Sequence, residues 1–177
     1  MATHAVLLRG INLGNRRIGM AALRDLLAGY GYGGVRTLLQ SGNVVLESPL
    51  RAVALERKLE QQLEHGLGWP VDVIVRSRAE LGRVLARSPL ASVATDPRRY
   101  LVTFLRGKLA ADVARRLAAL DVTPEQVAVS GREVYSWHPD GQARSELAKH
   151  LTVRSLGVPA TGRNWSTVEK LLALVDA

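Results

Sequence analysis

The chain contains no cysteine, and that absence removes a disulfide framework, thiolate zinc and iron–sulfur sites and a cysteine nucleophile. Histidine is nearly as sparse. His4, His65, His138 and His150 include no pair at the four-residue spacing of a helical metal site, so neither a metal nor a cofactor is expected. No apolar run approaches the roughly 20 residues of a membrane span. The short run Ala5-Val6-Leu7-Leu8 follows no basic segment of the kind a signal peptide carries. These absences predict a cytoplasmic protein with no membrane association. A dense tract of one charge is also missing. Lys and Arg outnumber Asp and Glu 24 to 16, a net charge of +8, yet the basic residues are spread along the chain. Dispersed arginine among abundant Ala, Leu, Gly and Val reads as compositional bias, and charge alone is a weak argument for nucleic acid.

What is present suffices for a packed interior. The 177 residues are 47% hydrophobic, which fits one ordinary domain or two small ones. The first half alternates cleanly between periods. His4 to Arg9 reads as a strand, followed by the glycine-punctuated loop Gly10-Ile11-Asn12-Leu13-Gly14. A helix from Met20 to Gly31 carries Leu23, Leu26 and Leu27 on one face. Val35 to Gln40 and Val44 to Glu47 read as strands joined by a Ser41-Gly42 turn. Ser48-Pro49 reads as a helix start, with Leu55, Leu59 and Leu63 stacked behind it, and Val71 to Arg76 as the next strand. The order β-α-β-β-α-β is that of a ferredoxin-like unit. Both alternating sets of the first strand are apolar, so both faces of its sheet should be covered.

The second half echoes this order. Ser77-Arg78-Ala79-Glu80 is a capping box opening a linker helix, and a boundary falls near Pro89 to Pro97. Tyr100 to Arg106 reads as a strand and Leu109 to Leu120 as a helix. Gln126 to Ser130 and Glu133 to His138 form a hairpin around Gly131-Arg132. A helix from about Ala143 to Leu156, a short strand at Val158 to Arg163 and a C-terminal helix complete the chain. The expectation is α+β: a ferredoxin-like subdomain over 1–76, a linker over 77–97 and a second, β-α-β-β-α subdomain with a C-terminal helix over 98–177.

Several segments in order resemble a bacterial family of proteins known as domain of unknown function 1697. They are Leu7-Leu8-Arg9-Gly10-Ile11-Asn12, Gln40-Ser41-Gly42-Asn43-Val44-Val45, Val73-Ile74-Val75-Arg76, Gly131-Arg132-Glu133-Val134-Tyr135, Arg144-Ser145 and Arg163-Asn164-Trp165-Ser166-Thr167. The resemblance implies two small α+β subdomains, the first ferredoxin-like, and implies no reaction.

Candidate binding residues fall at element ends and loops, where ligand contacts gather. Arg9 and Arg76 end neighbouring strands of the first sheet, which would set two guanidinium groups on one edge and invite an anion between them. Asn12 lies in the opening loop before a helix, where backbone N–H groups could meet an anion. Gln40 and Asn43 flank a turn whose composition is explained by backbone geometry alone. Arg144 and Ser145 open a helix, and Ser145 with Lys149 superficially suggests a Ser–Lys pair. Ser136 and His138 share a strand face, but no acid is evidently placed to orient the histidine. Ser166-Thr167-Val168-Glu169 reads as a capping box with Trp165 as its staple, which leaves Arg163 and Asn164 as ligand contacts.

The favoured reading is a non-hydrolytic module binding an anionic small molecule, bearing phosphate or carboxylate, in an arginine- and asparagine-lined cleft between the subdomains. Single-stranded nucleic acid is the alternative partner, less favoured, resting on Tyr100, Phe104, Tyr135 and Trp137 as a stacking face. An enzyme is the third class. It would gain if a carboxylate or His138 faced the arginines inside a cleft. Sequence leaves the oligomeric state open.

Overall fold

The computed structural model describes residues 1–177 and divides into two compact units, Met1–Gly82 with Lys170–Ala177, and Arg83–Glu169. Each is built on a four-stranded antiparallel sheet with helices on one face. No helix is long and apolar enough to cross a membrane.

In the first unit the elements are β1 (Ala2–Arg9), α1 (Met20–Gly29), β2 (Gly33–Leu38), β3 (Asn43–Ser48), α2 (Ala52–Leu67), β4 (Asp72–Ser77) and the start of α3 (Arg78–Arg87). The sheet order β2-β3-β1-β4 completes the ferredoxin-like arrangement. Val6 and Leu8 of β1 join Val44, Leu46, Val73 and Val75 against Leu23 and Leu27 of α1 and Leu55, Leu59 and Leu63 of α2. Ala5, Leu7, Val45 and Ile74 on the opposite face are also buried, as the doubly apolar β1 requires. The edge strand β4 is protected chemically. Its outward N–H groups at Val73 and Val75 donate to Glu60 at 3.0 Å and Glu56 at 2.9 Å. A four-residue helical step thus matches a two-residue strand step.

Two predicted helix starts can be compared. Ser77 and Glu80 form the reciprocal box: Glu80 N donates to Ser77 Oγ at 3.2 Å and Ser77 N to Glu80 Oε2 at 2.8 Å. Ser48-Pro49, by contrast, does not start α2. Ser48 is held in the sheet opposite Ala2, and the helix begins at Ala52 after Arg51.

The second unit continues with β5 (Tyr100–Leu105), α4 (Ala111–Ala118), β6 (Gln126–Ser130), β7 (Glu133–Trp137), α5 (Glu146–His150), α6 (Val153–Leu156), β8 (Ala160–Asn164) and the start of α7 (Trp165–Asp176). Its order β6-β7-β5-β8 repeats the first sheet, with β8 fully paired to β5 from Leu101↔Asn164 to Leu105↔Ala160. The single helix expected over Ala143 to Leu156 is two short ones. Thr152 caps a new start by accepting from Ser155 N at 3.2 Å, which interrupts the earlier turn. Likewise α7 starts one residue before the expected box. Asn164 is its cap, its Oδ1 accepting from Thr167 N at 2.9 Å, Thr167 Oγ1 at 2.7 Å and Ser166 Oγ at 3.0 Å.

The aromatic residues Tyr100, Phe104, Tyr135 and Trp137 do share a face of central strands, and all four are buried. Tyr135 donates to the carbonyl of Val84 at 3.3 Å, and Tyr100 stacks on Trp165 with centroids 4.6 Å apart. Rings packed in this way offer no face for stacking on bases.

Candidate functional site

The expected site residues of the first unit are engaged close to home. Arg9 pairs with Asp72 across the β1–β4 ladder at 3.0 Å. Arg76 lies opposite Ala5, four residues away along the same antiparallel ladder. Antiparallel pairing therefore separates the two arginines that sequence order set on one edge. Arg76 is fully buried, and its Nη1 donates to the carbonyl of Val75 at 3.1 Å. Asn12 and Gln40 are brought together. Asn12 Nδ2 donates to the Gln40 carbonyl at 2.9 Å while its Oδ1 accepts from Ile18 N at 2.8 Å, fastening the β1–α1 loop to the β2–β3 turn. Asn43 is buried and donates to Leu38 O at 3.0 Å and Ser41 Oγ at 2.9 Å. Gly42 has φ of +79°, and a Cβ there would stand 3.0 Å from the Leu8 carbonyl oxygen. That turn requires glycine for packing.

The second unit differs. A cleft of about 350 Å³ is bounded by Asp121, Val122, Thr123, Pro124 and Glu125 before β6 and by Asp140, Gly141, Arg144, Ser145 and Glu146 before α5. The peptide bond between Thr123 and Pro124 is cis. Arg144 is exposed, and its guanidinium takes no partner within the chain. Four carboxylates share the lining with it. Arg163 and Asn164 lie on β8 instead. Arg163 donates to Thr161 Oγ1 at 2.7 Å and Gly162 O at 2.8 Å, and burial pulls its pKa down to about 10, which still leaves it charged at neutral pH.

Behind this cleft lies a polar cluster centred on His138, which is 1% exposed. His138 Nδ1 stands 3.1 Å from Glu125 Oε1 and 2.8 Å from Ser145 Oγ, and Nε2 stands 2.8 Å from Ser136 Oγ. Glu125 Oε2 accepts from Leu147 N at 3.0 Å, and Ser145 Oγ from Ala148 N at 2.9 Å. The two side chains therefore cap α5 jointly. Burial pushes the Glu125 carboxyl up, but hydrogen bonds from Ser145, the Leu147 amide and His138 outweigh it and hold the pKa below the ordinary value. Burial likewise depresses His138, against the opposing pull of Glu125. A neutral imidazole beside an ionised carboxylate keeps its proton on Nδ1, facing that carboxylate. Nε2 is then the acceptor for the Ser136 hydroxyl, and Ser145 turns its own proton toward Glu125. The Ser145–Lys149 pair is not formed: Ser145 is committed to this cluster, and Lys149 pairs with Glu146 at 2.6 Å.

A smaller cleft of about 160 Å³ is lined by His138 together with Leu101, Thr103, Gln142, Ala148, Leu151, Ala160 and Gly162. Sequence reasoning paired Ser136 with His138 and missed Glu125. Glu125 is 13 positions from His138 and belongs to another strand's approach, so no spacing rule announces it.

Two repeated β-α-β-β units with interleaved helices define an α+β protein of two ferredoxin-like sheets. The chain belongs to the DUF1697 family, described as proteins of unknown function, whose model matches residues 1–135. The chain is also similar throughout to a solved structure of the conserved bacterial protein SP0830 from Streptococcus pneumoniae. The match has 23% identity and a TM-score of 0.76, and covers 100% of this chain and 99% of that one. At this identity the likeness speaks for the fold. Comparison with curated proteins finds no match.

Proposed function

We propose that the protein is a small-molecule binding module whose ligand occupies the cleft around Arg144 and Ser145. The supporting observation is the unpartnered Arg144 guanidinium in a concavity of about 350 Å³, a volume at the lower end of small-ligand sites. A guanidinium free of internal partners is suited to a phosphate or carboxylate. Asp121, Glu125, Asp140 and Glu146 line the same cleft and would repel a bare anion. The ligand that satisfies both sets carries an anionic group for Arg144 together with amino or hydroxyl donors for the carboxylates. Amino acids and phosphorylated amino sugars or amino alcohols have this pattern, whereas inorganic phosphate does not.

A thermal-shift series with these zwitterions, their deaminated counterparts and inorganic phosphate tests the reading. Stabilisation by zwitterions alone, lost in Arg144→Ala, is expected. A response to every anion equally, or one that persists in Arg144→Ala, contradicts it.

A further inference from the structure

The geometry points to a second, chemically distinct site: Ser136, His138 and Glu125 form a nucleophilic relay that serves the smaller cleft with short acyl esters as substrates. This inference does not depend on ligand binding at Arg144, although Glu125 belongs to the lining of that cleft as well.

The order of contacts carries it. Ser136 Oγ meets Nε2 of His138 at 2.8 Å, and the opposite ring nitrogen meets Glu125 at 3.1 Å. That is the nucleophile–base–acid sequence of serine acyl transfer, recognised by roles and geometry and not by chain order. Glu125 is itself oriented by Leu147 N and is only 12% exposed, so the imidazole is held in the tautomer whose free lone pair faces the serine. A helix cap alone needs no serine on the far nitrogen. The smaller cleft supplies the rest. It is lined by His138, Thr103 and Gln142, and neither the Thr103 hydroxyl nor the Gln142 amide has a partner in the chain. These are the groups free to donate to a developing oxyanion. Its 160 Å³ is the space of about five waters, room for an acetyl or similarly short group. Leu101, another wall of the cleft, is the cross-strand partner of Ser136.

The chemistry balances without a further reactant. Ser136 Oγ bonds to the ester carbonyl carbon as its proton passes to His138 Nε2, and the ester C–O bond breaks. The leaving alkoxide takes that proton and departs as the alcohol. Water, deprotonated by the same Nε2, then attacks the acyl-serine and releases the carboxylic acid, and the proton returns to Ser136. Ser136 is fully buried and lies just behind the lining of the cleft, so the wall at His138 must open to admit the acyl group while Thr103 and Gln142 stay in place.

The test uses the full chain with p-nitrophenyl acetate, following p-nitrophenolate release and the mass of the protein, and with methanesulfonyl fluoride, mapping the adduct by peptide mass. The expected results are an adduct on Ser136 and nitrophenolate release slowed about a hundredfold in His138→Gln. Ser136→Ala removes a buried hydroxyl without changing the backbone; circular dichroism is expected to match the parent while the adduct disappears. Ser136→Cys is expected to restore acetyl transfer to that position. The inference is overturned if folded parent protein gains no adduct on Ser136, or if release is unchanged in Ser136→Ala.

Discussion

Two sheets with one strand order invite comparison of what lies against them. In the first unit α2 runs unbroken for 16 residues, and its carboxylates satisfy the edge of β4. The topologically equivalent stretch of the second unit is α5 and α6, of 5 and 4 residues. Short helices leave more exposed ends, and here those ends meet Glu125, Ser145 and Thr152. Both clefts described above are lined by α5 or the loop before it. The lesson is that polar clusters and open clefts gather where the second unit departs from the plan of the first. The polar loop residues of the first unit are spent holding it together.

The contrast can be broken at its strongest point first. Leu59→Ala, in the core face of α2, is expected to cost about 2–5 kcal/mol of stability, read from the urea midpoint. A loss below about 1 kcal/mol would mean that α2 is no firmer than its short counterparts. Glu125→Ala strands the Leu147 amide and the His138 Nδ1 proton, and about 1–3 kcal/mol is expected from the same measurement. If instead the substitution is neutral, the cluster is not what secures α5.

The third probe is pH. His138 has a depressed folded pKa, so between that value and its ordinary 6.5 the unfolded chain binds more protons. The stability it contributes is present above about 6.5 and falls on acidification. Glu125, also depressed, contributes stability that is full above its ordinary 4.5 and lost as pH falls through its folded value. The two groups act in the same direction, His138 at the higher pH. Chemical denaturation of His138→Asn at pH 7.5 and 5.5 is expected to show a smaller decline than the parent; an equal decline would remove His138 as its source. The smallest effect belongs to the first unit. Leu39 is exposed with φ of +58°, a conformation that favours glycine, so Leu39→Gly is expected to stabilise by about 0.5–1 kcal/mol. A lower melting temperature would show that the leucine side chain is held by contacts worth more than the strain.

Much of the fold was legible because periodicity and capping are local. The doubly apolar β1, the leucine ladder of α2 and the Ser77–Glu80 box each announce themselves within a few residues. The failures share a cause. Ser48 looks like a cap until Ala2 claims it for the sheet, and Ser166 until Asn164 takes Thr167 N two residues earlier. The break at Thr152 depends on which of two local hydrogen-bond schemes wins, a balance of order 1 kcal/mol. Of the candidate residues, Arg144 and Ser145 are legible only as a loop-to-helix junction, which is where they lie. Glu125 was invisible because its partners come from separate strands and loops.

One further consequence lies in the path of the chain. Residues Lys170–Ala177 belong to the same unit as Met1–Gly82, with Asp176 hydrogen-bonded to Arg78 at 3.2 Å through Arg78 Nη2. On the ribosome the earliest-made unit therefore receives its last segment only after the later-made one has been synthesised in full. Maturation runs as an enclosure, in which the middle of the message is translated before its opening passage can be finished.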